Sequence, residues 1–227
     1  MPAVFTPPPY VPSPEAIAYH KYLDDHLLQY PEAKTIAPQW GPQTEFCLTP
    51  ANICIYGGAG GGGKTYGSLI CGLGTMNNYP GFDIIMFRKT MADATKSGSL
   101  VDETRELYEG KPLYGDYNGQ THRFTFPNKS TVALGGMSMD KQLEAQRGSQ
   151  YGGVIFDELN LFKKRMFWYM MTRIRTMTGG HTFIKATTNP EPEGWVKDLL
   201  EEAGYLCKET GFAIYKMSGV LRWFYMG

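Results

Sequence analysis

The sequence predicts an α/β protein: a mostly parallel central sheet flanked by helices, with an added antiparallel hairpin. Three observations carry this. From Ile53 onward, short apolar runs of β type alternate with helix-compatible runs, the pattern of parallel strands joined by crossover helices. After the first such run a glycine-rich stretch ending in Lys64-Thr65 leads directly into a helical segment, a strand–loop–helix unit. Two further β-type runs flank Pro127-Asn128-Lys129, the composition of a tight turn.

Each element has a local reason. The start, TPPPYVPSP, is too rich in proline for regular structure and reads as an extended arm. Pro14-Glu15 can open a helix to about Tyr30, with Ile17, Tyr22, Leu23 and Leu27 as its apolar positions. Ile53-Cys54-Ile55-Tyr56 is a buried strand, and a helix runs from Lys64 to about Met76. DIIMFR (83–88) is the next buried strand and 91–108 the next helix; 121–126 and 130–134 form the hairpin. A strand over 151–156, a helix over 162–177, a strand over 182–187 and a helix over 195–203 complete the alternation. The last stretch, 205–227, is mixed and ends in the aromatic run Trp223-Phe224-Tyr225. The expected organisation is therefore an arm and helix over 1–35, one α/β domain over 36–204, and a trailing segment over 205–227. There is no internal repeat.

Composition narrows the class. A chain of 227 residues, 42% hydrophobic and 19% charged, can bury a sizeable core as an ordinary soluble globular protein. Acidic and basic residues balance at 22 each, so no global field announces a nucleic-acid partner, although a local basic patch would suffice for one. Cys47, Cys54, Cys71 and Cys207 form no C-x-x-C pair, which favours reduced thiols in a cytoplasmic protein over disulfides or zinc. His20, His26, His122 and His181 lack metal-ligand spacing. With no apolar run near 18 residues and no signal peptide, no membrane association is expected.

The glycine-rich stretch is Gly58-Ala59-Gly60-Gly61-Gly62-Gly63-Lys64-Thr65, which fits G-x-x-x-x-G-K-[ST]. Successive backbone N–H groups can curl around a β-phosphate only where no Cβ intrudes, hence the glycines. Lys64 would reach the β- and γ-phosphates, and the Thr65 hydroxyl would ligate Mg²⁺. The expected fold is thereby narrowed to a P-loop NTPase with an ASCE/RecA-like sheet, ATP its substrate and Mg²⁺ its cofactor. The nucleotide-binding set is Gly58, Gly60, Gly61, Gly62, Gly63, Lys64, Thr65 and Tyr66, with Gln43 added below.

A second half of the site follows. Gly153-Val154-Ile155-Phe156-Asp157-Glu158 is an apolar strand ending in two carboxylates. In P-loop enzymes the strand beside the loop places an acid there to hold Mg²⁺, the role assigned to Asp157. Glu158 would act as general base on the attacking water. Thr188 and Asn189, in Thr187-Thr188-Asn189-Pro190, form a polar strand tip able to report the γ-phosphate; an Asn-Pro turn is the alternative. Gln43, in Gln43-Thr44-Glu45-Phe46, could pair with the adenine edge while Phe46 packs on the ring; a surface glutamine beside a core phenylalanine is the alternative. Cleavage of a γ-phosphate also needs an added cation. Arg88, Arg147, Arg165, Arg173 and Arg175 are candidates; Arg147 is favoured because Gly148 permits close approach and the segment precedes the Asp-Glu strand. Lys163-Lys164-Arg165 with Phe167, Trp168 and Tyr169, and also Lys89, Lys96 and Lys129, are possible contacts to nucleic-acid phosphates.

This ordered set resembles the large terminase subunit of tailed bacteriophages, specifically its N-terminal packaging ATPase domain. The matching text is Gln43–Phe46, Ile55-Tyr56-Gly57-Gly58 through Lys64-Thr65, Phe87-Arg88-Lys89-Thr90, Gln146-Arg147-Gly148, Ile155-Phe156-Asp157-Glu158-Leu159 and Thr188-Asn189-Pro190, over roughly 35–204. The loop carries more consecutive glycines than that family usually shows. The resemblance implies an ATP-hydrolysing motor that drives double-stranded DNA into a procapsid. Its partners would be the portal protein, the small terminase subunit and further copies of itself in a ring, a pentamer. It would work in the host cytoplasm, transiently at the portal vertex. Thr188-Asn189 would then be the coupling motif, Gln43 the adenine contact, and Arg147 a finger presented to the neighbouring subunit. Large terminases also resemble two-domain proteins with a C-terminal nuclease. Arg222-Trp223-Phe224 looks like the entry to the linker between the halves, so the chain is expected to be an isolated ATPase domain or a split or truncated gene product that does not cut DNA.

Other classes make different demands. A superfamily 2 helicase has two RecA-like cores, whereas this chain has one phosphate loop. A small-molecule kinase closes an arginine-rich lid over its acceptor and does not call for an Asp-Glu pair with a Thr-Asn tip. A regulatory nucleotide-binding module would bind without turnover.

Overall fold

The computed structural model describes residues 12–31, 35–58, 61, 63–110, 112–189, 193–202, 216–218 and 221–226. Strands β1 (Ile53–Tyr56), β2 (Asp83–Arg88), β3 (Asp116–Asn118), β4 (Arg123–Thr125), β5 (Thr131–Gly136), β6 (Gly153–Phe156), β7 (Phe183–Thr187), β8 (Lys216–Ser218) and β9 (Leu221–Met226) form one sheet, ordered β3-β4-β5-β2-β6-β7-β1-β9-β8. Strands β5, β2, β6, β7, β1 and β9 pair in parallel; β4 runs against β3 and β5, and β8 against β9. The expected fold is present, hairpin included.

Parallel strands buried on both faces need apolar side chains in both directions. The chain supplies them: β1, β6 and β7 are buried at every position. One face packs Ile53, Ile55, Phe87, Val154, Phe156 and Ile184 against helices α8 (Lys164–Met171) and α9 (Trp195–Glu202). The other packs Cys54, Ile84, Met86, Ile155 and Phe183 against α3 (Lys64–Ile70), α4 (Leu73–Asn78) and α6 (Leu100–Tyr108). Helix α1 (Pro14–Gln29) starts where expected, with Ser13 as its cap accepting from Ala16 N. Helix α2 (Pro42–Leu48) links it to the sheet.

Several boundaries differ from expectation. The helix from Lys64 breaks at Cys71-Gly72, where a Cβ on Gly72 would come within 2.2 Å of Ile84 Cδ1, so the chain there lies directly on β2. The helix over 91–108 divides into α5 (Met91–Thr95) and α6, because Gly98 turns the chain at φ +68° and its N–H is held by Asp102 Oδ2 at 2.8 Å. The helix expected over 162–177 begins at Lys164 and ends at Met171, since Ile174 bridges to Tyr151 in extended form. Strand β3, not anticipated, widens the hairpin. Asp140–Glu144 forms a short helix, α7.

The segment read as the entry to a linker lies in strand β9. Leu221–Met226 pairs in parallel with β1, Trp223 opposite Ile53 and Phe224 opposite Cys54. An aromatic run has high β propensity, and the edge of β1 offers it a full ladder of backbone partners. Residues 1–11, most of the proline-rich arm, together with Cys207 and Pro190, lie outside the described residues. Among the described residues, no helix is long and apolar enough to cross a membrane.

Candidate active site

Parallel sheets of this kind place ligands at the carboxyl ends of their strands. A cavity of about 750 Å³ opens there. Its lining comprises Gly61, Gly63, Lys64, Thr65 and Tyr66 after β1, Asp157 and Glu158 after β6, Thr187 and Asn189 at the tip of β7, and Glu103 and Glu106 on α6. Three loop glycines have backbone angles that side chains resist: Gly58 at φ +140°, Gly61 at +82° and Gly63 at +66°. Gly60 and Gly62 are outside the described residues. Lys64 Nζ donates to Gly58 O at 2.8 Å, so the lysine folds back over the loop it would close around a phosphate. Burial pulls the Lys64 ammonium below its ordinary pKa, opposed by Asp157 and Glu158.

The acidic half is built by three neighbouring strands. Strand β6 ends beside the phosphate loop as expected, with β7 lying between it and β1. Thr187 at the end of β7 joins the two halves. Its Oγ1 donates to Asp157 Oδ1 at 2.8 Å and accepts from Glu158 N at 3.0 Å. Asp157 is only 2% exposed, and burial raises its pKa against the pull of Arg88, Thr187 and Lys64. Among the described residues no hydrogen bond reaches its second oxygen, Oδ2, which faces Arg88 Nε at 3.5 Å. Glu158 takes a left-handed conformation, φ 62° and ψ 60°, outside the usual range for a residue with a Cβ. That conformation costs about 1–3 kcal/mol and persists only where its surroundings enforce it. Here the turn is closed by Leu161 N donating to Glu158 O at 3.0 Å, while Arg88 Nη2 lies 3.5 Å from Glu158 Oε2.

The remaining expected residues divide. Lys64, Thr65, Tyr66, Asp157, Glu158 and Asn189 meet in the cavity. Thr188 stands beside it, its Oγ1 donating to Asn160 Oδ1 at 3.2 Å. Gln43 does not line the cavity. It is buried behind the loop, its Nε2 donating to Gly63 O at 2.8 Å and its Oε1 accepting from Gln39 N at 2.6 Å. Phe46 is wholly buried against Tyr56, a core residue and not a platform for a base. Arg147 is exposed beyond the end of α7 and is absent from the lining. Gly148 after it has φ +83° and open space around its Cβ position. Arg165 pairs with Asp140, and Arg173 lies over the Tyr169 ring at 5.2 Å. Among the five candidates Arg88 is the one that meets both carboxylates, because β2 pairs with β6. Glu103 and Glu106 are not legible in the sequence: nothing local distinguishes them from any exposed helical acid. Burial and the nearby Asp157 raise the pKa of Glu103.

Residues 55–205 match the family described as terminase large subunit, T4likevirus-type, N-terminal. The chain belongs to that family. Among solved structures, the large terminase of a thermophilic bacteriophage, in complex with ATP-γ-S, is similar at TM-score 0.59 and 16% identity. That match covers 82% of this chain and 43% of that one. The Thermus phage P74-26 large terminase ATPase domain is similar at TM-score 0.58 and 13% identity, over 89% and 84% of the two chains. The N-terminal domain of the DNA packaging ATPase of bacteriophage phi29 is similar at TM-score 0.54 and 11% identity, over 81% and 94%. No curated protein sequence matched. The chain spans less than half the length of the thermophilic bacteriophage's large terminase, and at these identities the likeness speaks for the terminase ATPase fold alone.

Proposed function

We propose that this chain is the ATP-hydrolysing motor domain of a viral DNA-packaging terminase, coupling hydrolysis to translocation of double-stranded DNA into a procapsid. One observation carries the reading: Thr187 ties the Asp157-Glu158 turn to the strand beside the phosphate loop, so a group bound on the loop meets both carboxylates. Family membership supports it, as do the complexes of the thermophilic bacteriophage's large terminase with ADP and with ATP-γ-S.

In this reading the loop amides and Lys64 hold the phosphates, and Tyr66 walls the nucleotide pocket. Mg²⁺ fits the donor set: the Thr65 hydroxyl and the unbonded Asp157 Oδ2 are hard oxygen donors in one cavity. Among the described residues no group of three His, Cys, Asp or Glu side chains could hold a metal, which suits an ion completed by water and phosphate oxygens. When bound, Mg²⁺ would neutralise charge on the phosphates. Glu158 takes the proton of the attacking water. Asn189, with Thr188, senses the γ-phosphate from the tip of β7. Gln43 supports the loop from behind, and its adenine contact would need its present bonds exchanged. Among the described residues the cavity lining holds no arginine, so Arg147, exposed on one subunit, is assigned to the site of the next in a ring. That ring, a pentamer on the portal protein and fed by the small terminase subunit, would act in the host cytoplasm; a phi29 structure is described as a viral genome packaging motor assembly.

The test is ATP turnover with and without double-stranded DNA, in the wild type and Glu158→Gln. The variant should bind ATP and hydrolyse it at least about a hundredfold more slowly. Turnover within a fewfold of wild type would remove Glu158 from the base role.

A further inference from the structure

Lys185 is a charged residue buried in the middle of β7, 3% exposed, on the strand face it shares with Phe183 and Thr187. Packing alone would be met by methionine or leucine, so a charge placed here needs partners. Its Nζ donates to Phe46 O at 2.7 Å and Cys47 O at 2.8 Å and lies over the Phe46 and Phe183 rings at 5.4 and 5.3 Å. Both carbonyls belong to the last turn of α2, and the sequence explains why they are free. The helical partner of Phe46 O would be the N–H of residue 50, which is Pro50 and has none. The partner of Cys47 O would be Ala51 N, which instead donates to Thr49 Oγ1 at 3.2 Å. Lys185 supplies the two missing donors.

The opposite end of α2 reaches the phosphate loop. Gln43 Nε2 donates to Gly63 O, and Gly63 is the N-cap of α3. Contact between the two helices is tight: a Cβ on Gly63 would meet Gln43 Nε2 at 2.7 Å, and one on Gly67 would meet Gln43 Cγ at 3.0 Å. Cys47 Sγ also lies 3.7 Å from Gly67 O. Helix α2 is therefore fastened at one end to the strand that carries Thr187 and at the other to the residue before Lys64-Thr65.

We propose that Lys185 is a positioning residue of the nucleotide site, acting through α2 and Gln43 to hold Gly63, and with it the start of the phosphate-binding helix, in register with the tip of β7. The proposal rests on the nucleotide-binding reading above. It predicts an effect on nucleotide affinity that passes through Gln43, which a purely structural lysine would not produce.

The experiment is a double-mutant cycle read by titration calorimetry with Mg·ADP and Mg·ATP-γ-S, using wild type, Lys185→Met, Gln43→Ala and the double variant. Lys185→Met, of similar length but without a donor, should weaken Mg·ADP by about tenfold, the scale of one lost hydrogen bond. In the Gln43→Ala background the same change should weaken it less than about twofold, because the path is already cut. Lys185→Gln, which keeps an amide donor, should recover part of the affinity and serves if the methionine variant folds poorly. Affinity of a folded Lys185 variant within twofold of wild type, or losses that simply multiply in the double variant, would overturn the proposal. Failure of the wild-type chain itself to bind Mg·ADP would overturn the nucleotide reading and the proposal with it.

Discussion

Replacing Thr187 by valine removes a hydroxyl and preserves shape, and the structure states what is lost. Two hydrogen bonds disappear at once, one to Asp157 Oδ1 and one from Glu158 N. Asp157 is 2% exposed and, among the described residues, receives no hydrogen bond on its other oxygen, so its carboxylate would keep Arg88 as its close partner and no hydrogen bond from Thr187. A hydrogen bond to a charged group is worth about 1.5–3 kcal/mol, and an abandoned N–H at a partly exposed turn adds roughly 1. The sum, about 2–4 kcal/mol, corresponds to a fall of roughly 5–15 °C in melting temperature for a chain of this size. Valine is at home in a strand, so backbone propensity does not add to the loss. The bond also lowers the pKa of Asp157, so the destabilisation should shrink at acid pH, where the carboxyl is protonated in both proteins. Turnover should suffer too, by up to about a hundredfold, since Glu158 depends on that bond for its orientation. Thermal unfolding by circular dichroism at pH 7 and pH 4, beside single-turnover hydrolysis, measures all three. A variant that melts within about 2 °C of wild type at pH 7 and turns over normally would refute the argument that Thr187 holds the two carboxylates together.

Other substitutions test other parts of the site. Asp157→Asn should raise the melting temperature at neutral pH. Folding raises the Asp157 pKa above its ordinary 3.8, so its carboxylate costs stability above the folded value and nothing below the unfolded one. The gain should therefore fade as pH drops through that window, and the variant should lose the stabilisation that Mg·ADP gives the wild type; an unchanged response to Mg·ADP would take Asp157 out of the metal site. Gly63→Ala places a Cβ 2.7 Å from Gln43 Nε2 at φ +66°, so nucleotide binding should fall at least about tenfold, and calorimetry showing wild-type affinity would mean the loop tolerates a side chain there.

What can be read in the sequence follows from how local each requirement is. The phosphate loop is legible because glycine spacing, the lysine and the hydroxyl are all set within eight residues. Asp157 and Glu158 are legible because an apolar strand ending in two acids is a local pattern. Strand order is not local. That β7 separates β1 from β6 depends on pairings between residues more than a hundred apart, such as Ile53 with Ile184. For the same reason the approach of Arg88, a strand-end arginine like many others, to both carboxylates is not visible until β2 is seen beside β6. Gln43 stands out in the sequence, but its partner, Gly63 O, lies across the junction of α2 and α3 and no local pattern reveals it. That Arg222-Trp223-Phe224 lies in a sheet strand is not legible in the sequence, because its parallel partner β1 lies far away along the chain.

The strained turn at Glu158 ties strand order to chemistry. A left-handed glutamate costing about 1–3 kcal/mol would relax if β6 stood alone. It is held because each strand beside β6 contributes one group: Arg88 from β2 lies against both carboxylates, and Thr187 from β7 bonds Asp157 and the Glu158 amide. On the proposed coupling role the β7 contact would be the one to carry information, since Asn189 lines the cavity and Thr188 stands beside it. A shift of β7 along its axis would lengthen the Thr187 bonds, release Glu158 from its held conformation and disturb Lys185 at the end of α2. If Glu158 is the base and α2 the brace of the loop, as proposed, both would answer to the same strand, and the order β6-β7-β1 would make that possible.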